Sequence, residues 1–380
     1  MRGGTSKGLV LHARDLPDDP ADWAHILCSA MGSPDDYGRQ LDGMGGGISS
    51  LSKVCVIGPP TREDADVDYT FVQVAVKEAR IDMHSNCGNM SSAVGPFAYD
   101  EGLVAAVGGH CSVRIHNTNT SKIIRSSFEI DGARSRYDGE FTIPGVGAAG
   151  SPIRLDFLDP GGATTGRLLP TGRVAEAIEV PGHGRVEVSL VDAANAAVFV
   201  HARDVGLCGV ELPDELEARP EVLSLLEAIR REASVRMGIT PDRATAATVA
   251  SVPFVCVVSE SRDSLTTSGQ TIAADDADLV ARVISNGQPH RALPLTISLC
   301  TAVAARLHGS VVARLVDAAD SSNIRLAMPS GVLTVDAEVD QRDGEWSAPA
   351  GSFFRTARRL FDGRVWYRDE PHRPRDRPRP

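Results

Sequence analysis

The seven cysteines, at positions 28, 55, 87, 111, 208, 256 and 300, form no C-x-x-C pair, and neither H-E-x-x-H nor a clustered His/Cys set occurs anywhere in the chain. No metal site is expected from such a pattern. An odd cysteine count, in a chain lacking a basic-then-apolar leader, fits reduced thiols in the cytoplasm better than a disulfide framework. No apolar run reaches the ~20 residues that span a bilayer, so no membrane segment is expected. Positive charge is in deficit, with a formal net charge of -11. That argues against a nucleic-acid partner, because phosphate backbones require a positive surface field. An acidic ligand would instead need a local positive site. Aromatic residues are only 5%, so Val, Ala, Leu and Ile must fill the interior.

What is present is ordinary for a globular chain: 42% hydrophobic and 23% charged residues. At 380 residues the chain suits two domains, each able to bury its own core. A glycine-rich opening, Met1-Arg2-Gly3-Gly4-Thr5-Ser6-Lys7-Gly8, leads into a strand over 8–13. Trp23, Ile26, Leu27, Ala30 and Met31 recur at helical spacing, and Gly32 ends that helix. A Gly/Ser segment over 41–53 precedes a strand over 54–58. The strand 66–78 changes phase near Phe71, which predicts a bulge or a sharp twist there. Asn86-Cys87-Gly88-Asn89 then opens a buried helix over 90–98.

Pro170-Thr171-Gly172 is the expected boundary between halves, giving a first half over 1–172 and a second over 173–367 whose last strands are free to return to the first. In the second half, strands are expected over 186–190, 197–202 and 253–259. The segment 213–238 contains a long amphipathic helix built on Val222, Leu226, Ile229 and Ala233. An apolar helix over 289–307 and strands over 311–315, 324–328 and 332–339 repeat the outline of the first half. The Pro/Arg tail, 368–380, has no apolar anchors and is expected to be disordered.

Two residues stand out chemically. A thiol at the start of a buried helix, as at Cys87, sits where free N–H groups and the helix dipole favour its anion. The same donors, at Asn86, Gly88 and Asn89, can hold a carboxylate or enolate. Lys53 follows a glycine loop and enters an apolar strand, where loss of water favours the neutral amine that a general base must be. The ordinary readings are a buried structural cysteine and a solvated lysine; the first is adopted for Cys28, Cys55, Cys111, Cys208 and Cys256. Three motif matches fail on context. The glycines at 43–47 follow no strand and open no helix, so they make no dinucleotide loop. Residues 2–8 lack P-loop spacing. Ser50-Leu51-Ser52-Lys53 fits S-x-x-K, but its companion motifs are absent and Lys53 enters a strand.

Taken together the chain resembles the PrpF family, which includes 2-methylaconitate isomerase and 4-oxalomesaconate tautomerases. The matching segments are residues 1–8, 42–46 (Asp-Gly-Met-Gly-Gly), 52–54 (Ser-Lys-Val), 66–69 (Asp-Val-Asp-Tyr), 86–89 (Asn-Cys-Gly-Asn), 155–159 (Leu-Asp-Phe-Leu-Asp), 169–172 (Leu-Pro-Thr-Gly), 191–195 (Val-Asp-Ala-Ala-Asn) and 355–358 (Arg-Thr-Ala-Arg). The resemblance implies the α+β, diaminopimelate epimerase-like fold: two similar halves, each a curved sheet wrapped round a central helix, with the active site in the cleft between them. It also implies that Lys53 and Cys87 face the substrate and that no cofactor is used. Family members carry several residues of a first strand ahead of the Arg-Gly-Gly segment, so either the start at Met1 is late or the sheet edge at Arg2 is expected to be incomplete.

Paired-thiol racemases place a cysteine at the start of each central helix. Here the second helix is expected to open at Gln288-Pro289-His290-Arg291, with Cys300 well inside. The implied reaction is therefore movement of a C=C bond by proton transfer, with Lys53 as base and Cys87 at the second carbon of an unsaturated di- or tricarboxylic acid. Arg2, Gly3, Gly4, Thr5 and Ser6 are expected to bind that small anionic substrate, together with His290, Arg291, Ser330 and Gly331. Two alternatives stay open: an amino- or hydroxy-acid epimerase, and a non-catalytic binder of acidic metabolites. A homodimer is one assembly open to the chain.

Overall fold

The computed structural model describes residues 1–83, 87–250, 252–285, 287–316 and 323–369. Asn86 and the tail from residue 370 onward, both singled out by sequence, lie outside them. The chain divides into two compact units, residues 1–155 with 355–380, and residues 156–354.

In the first unit, β1 (Arg2–Gly3) pairs antiparallel with β2 (Ser6–His12) on one side and with Ala357–Arg358 on the other, so it is not an open edge. Helix α1 (Trp23–Met31) has the bounds its periodicity predicts, and Gly32 caps it at φ 77°, a left-handed conformation natural to glycine. The next strand, β3 (Lys53–Gly58), lies parallel to β2 and antiparallel to β4 (Val67–Val74). Of the bulge or sharp twist expected near Phe71, the bulge is absent, since the register runs unbroken from Lys53↔Gln73 to Gly58↔Asp68. The apolar phase changes because β4 is buried on both faces: Val67, Tyr69, Phe71, Val72 and Val74 are all covered. After β5 (Ile81–Asp82) comes α2 (Gly88–Asp100), then β6 (His110–Asn117) parallel to β4, and β7 (Lys122–Asp131) antiparallel to β6. Every residue from Met90 to Ala98 is buried, the mark of a helix enclosed by strands.

The second unit repeats this alternation. Strand β8 (Gly184–Ala193) is antiparallel to β9 (Asn195–His201), which is parallel to β10 (Phe254–Glu260). Strand β11 (Leu279–Ser285) is antiparallel to β10 and parallel to β13 (Ile324–Met328), with β12 (Gln288–Pro289) on its end and β14 (Gly331–Arg342) antiparallel to β13. The crossover between β9 and β10 carries α3 (Pro220–Arg236), whose Val222, Leu226, Ile229 and Ala233 are buried as expected. It lies within 213–238 as expected, preceded there by the separate short helix Pro213–Glu217, because Pro220 cannot continue a preceding helix and starts a new one instead.

The central helix of this unit, α4 (Leu295–Arg306), begins six residues later than expected, with Pro294 as its N-cap. His290 and Arg291 therefore lie in the turn before the helix and not at its opening. The strand expected over 311–315 is also absent. Ser310 donates its hydroxyl to the Ala304 carbonyl at 2.6 Å and accepts the Ala313 N–H at 2.9 Å, curling the segment into the 3-10 turn Ala313–Leu315. The architecture is thus the α+β one that the resemblance implied. No described helix is long and apolar enough to cross a membrane.

Candidate active site

Lys53 is the first residue of β3 and is only 9% exposed. Its register partner on the parallel side is Gly8. A Cβ there would fall on the Lys53 carbonyl oxygen and 3.1 Å from Lys53 Cβ, so the two strands close only around a glycine. Gly8→Ala is expected to cost about 1–3 kcal/mol through this overlap. It should also lower turnover by displacing the lysine. A thermal melt and a rate assay on the same preparation check both, and a wild-type melting temperature would show that the strands tolerate the methyl group.

The Lys53 Nζ donates to Gln73 Oε1 at 2.8 Å and stands 4.9 Å from the centroid of the Phe71 ring. The glycine-rich loop ahead of it is built round the buried Gln40. Gln40 Nε2 donates to Ser33 Oγ at 2.8 Å, and its Oε1 accepts from Gly47 N at 2.9 Å and Ser52 Oγ at 2.6 Å. These glycines therefore shape the approach to Lys53 rather than a phosphate cradle.

Cys87 is the N-cap of α2, in extended backbone at φ −116° and ψ 97°. Its carbonyl accepts from Ser91 N at 2.9 Å and Ser91 Oγ at 3.0 Å, and its half-buried thiol makes no capping bond. Gly88, Asn89 and Met90 are the first residues of the helix, where backbone N–H groups lack intrahelical acceptors and the dipole is positive. Helix α2 packs against β3, the strand that Lys53 opens. Cys55, two residues after Lys53, is fully buried, and burial pushes its thiol up to about 12. Tyr69 Oη, 3.9 Å from that sulfur, is held well above the usual phenol range by burial.

The opening loop folds over the first turn of α2. A Cβ on Gly3 would come within 2.7 Å of the Asn89 carbonyl oxygen, and Gly4 has a left-handed φ of 52°. Asn89 Oδ1 accepts from Thr5 N at 3.4 Å and from Arg355 Nε at 3.1 Å. Arg2 donates to the carbonyls of Gly4 at 3.0 Å and Thr356 at 2.8 Å, so its guanidinium staples the loop. Ser6 is buried at the start of β2. Arg355 is 6% exposed, and burial brings its guanidinium down to about 10. Arg2 and Arg355 thus bring positive charge to this loop in a chain of negative net charge.

The remaining expected residues belong to the second unit. His290 Nε2 lies 2.7 Å from Ser285 Oγ, and burial lowers its pKa. Arg291 is largely exposed and donates to Asp214 at 3.0 Å. Pro329 and Ser330 form the two-residue turn between β13 and β14, closed by the Met328↔Gly331 pair. Ser330 Oγ is buried with no hydrogen-bond partner among the described residues. Following the strand ladders, the position of Lys53, opposite Gln73, which in turn pairs with Asp82, corresponds in this unit to Val255, opposite Ile284, which in turn pairs with Pro289. Pro294 stands where Cys87 stands, and Cys300 is buried inside the helix with its thiol pushed far up. A lysine at that ladder position and a cysteine at the helix N-cap therefore occur in the first unit and not in the second. Cys208, expected to be buried, is exposed. Among the described residues no three His, Cys, Asp or Glu side chains are grouped to hold a metal ion.

Gln73, Gln40 and Arg355 were not among the residues expected to act. Arg355 lies in a segment that carried the resemblance, while the two glutamines offered no local signal.

The chain matches the family model described as PrpF protein over residues 1–368. It is 39% identical over 369 residues to the 3-methylitaconate isomerase of Eubacterium barkeri, covering 96% of this chain and 95% of that one. To the 4-oxalomesaconate tautomerase of Pseudomonas putida it is 36% identical over 370 residues, covering 96% and 94%. The crystal structure of a methylitaconate-delta-isomerase superposes with a TM-score of 0.88 at 38% identity, covering 97% of each chain.

Proposed function

The chain belongs to the PrpF family, and on that footing we propose that it is a cofactor-independent isomerase that shifts a C=C bond in a small unsaturated di- or tricarboxylic acid. Lys53 acts as the base and Cys87 as the group at the second carbon. The observation that supports this reading is that the largely buried Lys53 opens β3 while Cys87 caps α2, the helix packed against that strand.

The neutral Lys53 amine takes a proton from a carbon next to a carboxylate or vinylogous carbonyl. The C–H bond breaks, an N–H bond forms, and the electron pair spreads into an extended enolate. Its negative charge faces the N–H groups of Gly88, Asn89 and Met90 and the positive charge of Arg2 and Arg355, donors that need no reorganisation as charge develops. A proton then returns at the far end of the allylic system, from the Lys53 ammonium or through Cys87, and the double bond has moved. Gly3, Gly4, Thr5, Ser6, Gly88 and Asn89 shape the anion site in this reading. His290, Arg291, Ser330 and Gly331 are assigned to a distal carboxylate, and the Ser330 hydroxyl, which has no partner among the described residues, is the best supported of them. The absence of a second thiol or lysine at the matching positions of the second unit argues against two-base racemisation. Cytoplasmic residence is part of the same proposal, from seven cysteines of which none is paired.

The test is a panel of itaconate-, aconitate- and oxalomesaconate-type acids incubated in deuterium oxide and followed by proton NMR. Migration of the double bond with deuterium entering the allylic carbon is expected for at least one acid. Binding of these acids with neither migration nor exchange would leave only a metabolite-binding protein.

A further inference from the structure

We propose that Gln73 is the positioning residue that aims the Lys53 amine and keeps it able to change protonation state, an inference that rests on Lys53 being the base. Gln73 lies directly opposite Lys53 in the β3–β4 register. Its amide orientation is forced. The nitrogen Nε2 is surrounded by three carbonyl oxygens, those of Ser49 at 3.1 Å, Ser52 at 2.9 Å and Val74 at 3.3 Å. Carbonyls only accept, so the NH2 group must face them, and a flipped amide would set oxygen against oxygen. The carbonyl oxygen Oε1 is left as a fixed acceptor, aimed at Lys53 Nζ.

A neutral amine has two N–H bonds and one lone pair. With one N–H held by Oε1, and with the Phe71 ring two residues along the same strand face, the lone pair is directed away from β4. Both partners are uncharged. A carboxylate in the place of Gln73 would hold the ammonium form, whereas an amide and a ring face favour it only modestly. Lysine can therefore release its proton before the reaction, take one from carbon and return it, keeping the same bond to Oε1 throughout. The two carbonyls that hold Nε2 from the loop belong to Ser49 and Ser52, so the bond that aims the side chain also anchors the loop that delivers Lys53 to the strand.

The experiment compares Gln73→Glu, Gln73→Met and Lys53→Ala in the full-length chain, on whichever acid of the panel the wild type turns over. The readouts are pH profiles of kcat/KM, separate kcat and KM values, and deuterium wash-in. Gln73→Glu keeps the acceptor but adds a charge beside Nζ. The limb on which activity rises with pH should move up by about one unit or more, with a loss of about tenfold or more at neutral pH that recovers in alkali. Gln73→Met removes the acceptor. The same limb should move down, and kcat should fall roughly 10–100-fold while KM changes far less, since Gln73 is not assigned to the substrate. A role confined to anchoring the loop would leave the pH limb in place. Should Gln73→Met not fold, Gln73→Asn, which retains the amide but withdraws it by one methylene, is expected to give the same fall in kcat.

Folded Gln73 variants with the wild-type profile and kcat, beside an inactive Lys53→Ala, would overturn this inference and leave the base assignment standing. A Lys53→Ala enzyme with wild-type turnover and exchange would remove both.

Discussion

Lys53→Ala is expected to lose about 10²–10⁴ of the isomerisation rate, the usual contribution of a positioned general base, and to lose more than Cys87→Ser. The lysine has no understudy. In the second unit the matching ladder position is the buried Val255, and Lys122, which opens β7 in the first unit, is exposed. A serine in place of Cys87 keeps a polar hydrogen-bearing group at the helix N-terminus, so some polarisation and proton relay survive. An absorbance assay on an unsaturated tricarboxylate separates the two variants. The wild type should also exchange the migrating proton with solvent deuterium, at least in part, because the protons of an ammonium group scramble once it forms. If Lys53→Ala keeps turnover and exchange while Cys87→Ser loses both, the cysteine is the acting base.

The largest effect on stability is expected at Arg230, on α3 in the second unit. Its guanidinium is 1% exposed and makes a two-armed ion pair with Glu227 at 2.7 and 2.9 Å. It also donates to the carbonyls of Val249 at 2.8 Å, Val252 at 3.1 Å and Ala246. These carbonyls end the helix Arg243–Thr248 and begin the approach to β10, so a single side chain satisfies the crossover that feeds the sheet. Arg230→Met fits the apolar stem but leaves the acceptors unpaired. The expected cost is about 3 kcal/mol, at the low end of the range for breaking a buried pair, because Glu227 keeps Arg231 at 2.6 Å.

The sign of the pH dependence follows from Glu227. Burial would raise its pKa, but Arg230 and Arg231 together bring it below the ordinary glutamate value. The ion pair therefore stabilises the wild type fully above the unfolded glutamate pKa, and this stabilisation is lost as pH falls through the lowered folded value. The gap between wild type and variant should be widest near neutrality and narrow in acid. Urea midpoints at several pH values measure it. Equal midpoints at neutral pH would mean that the carbonyls find water and the arginine is dispensable.

Local chemistry made several parts of this protein legible in its sequence. The helix Trp23–Met31 and its Gly32 cap follow from spacing and from glycine's access to positive φ. Cys87 at the mouth of a buried helix follows from Asn and Gly flanking an apolar run, and Lys53 at the head of a strand follows from the apolar residues after it. The late start of α4 was written in Pro294, which lacks the N–H that a helix interior needs and so favours the boundary. The expected strand over 311–315 failed for a related reason: its valines and leucine fit either state, and the Ser310 hydroxyl chose the turn.

Only the tertiary structure decided the rest. Gln73 alternates along β4 with apolar neighbours and reads as an outward polar residue until the strand register places it opposite Lys53. The same holds for the phase change at Phe71, which burial on both faces explains and no local rule does. The sequence by itself determined which segments could be helix or strand and which side chains could carry a proton or an anion. Pairing between distant strands determined which of those side chains meet, because register depends on the packing of whole faces and is encoded in no single stretch of chain.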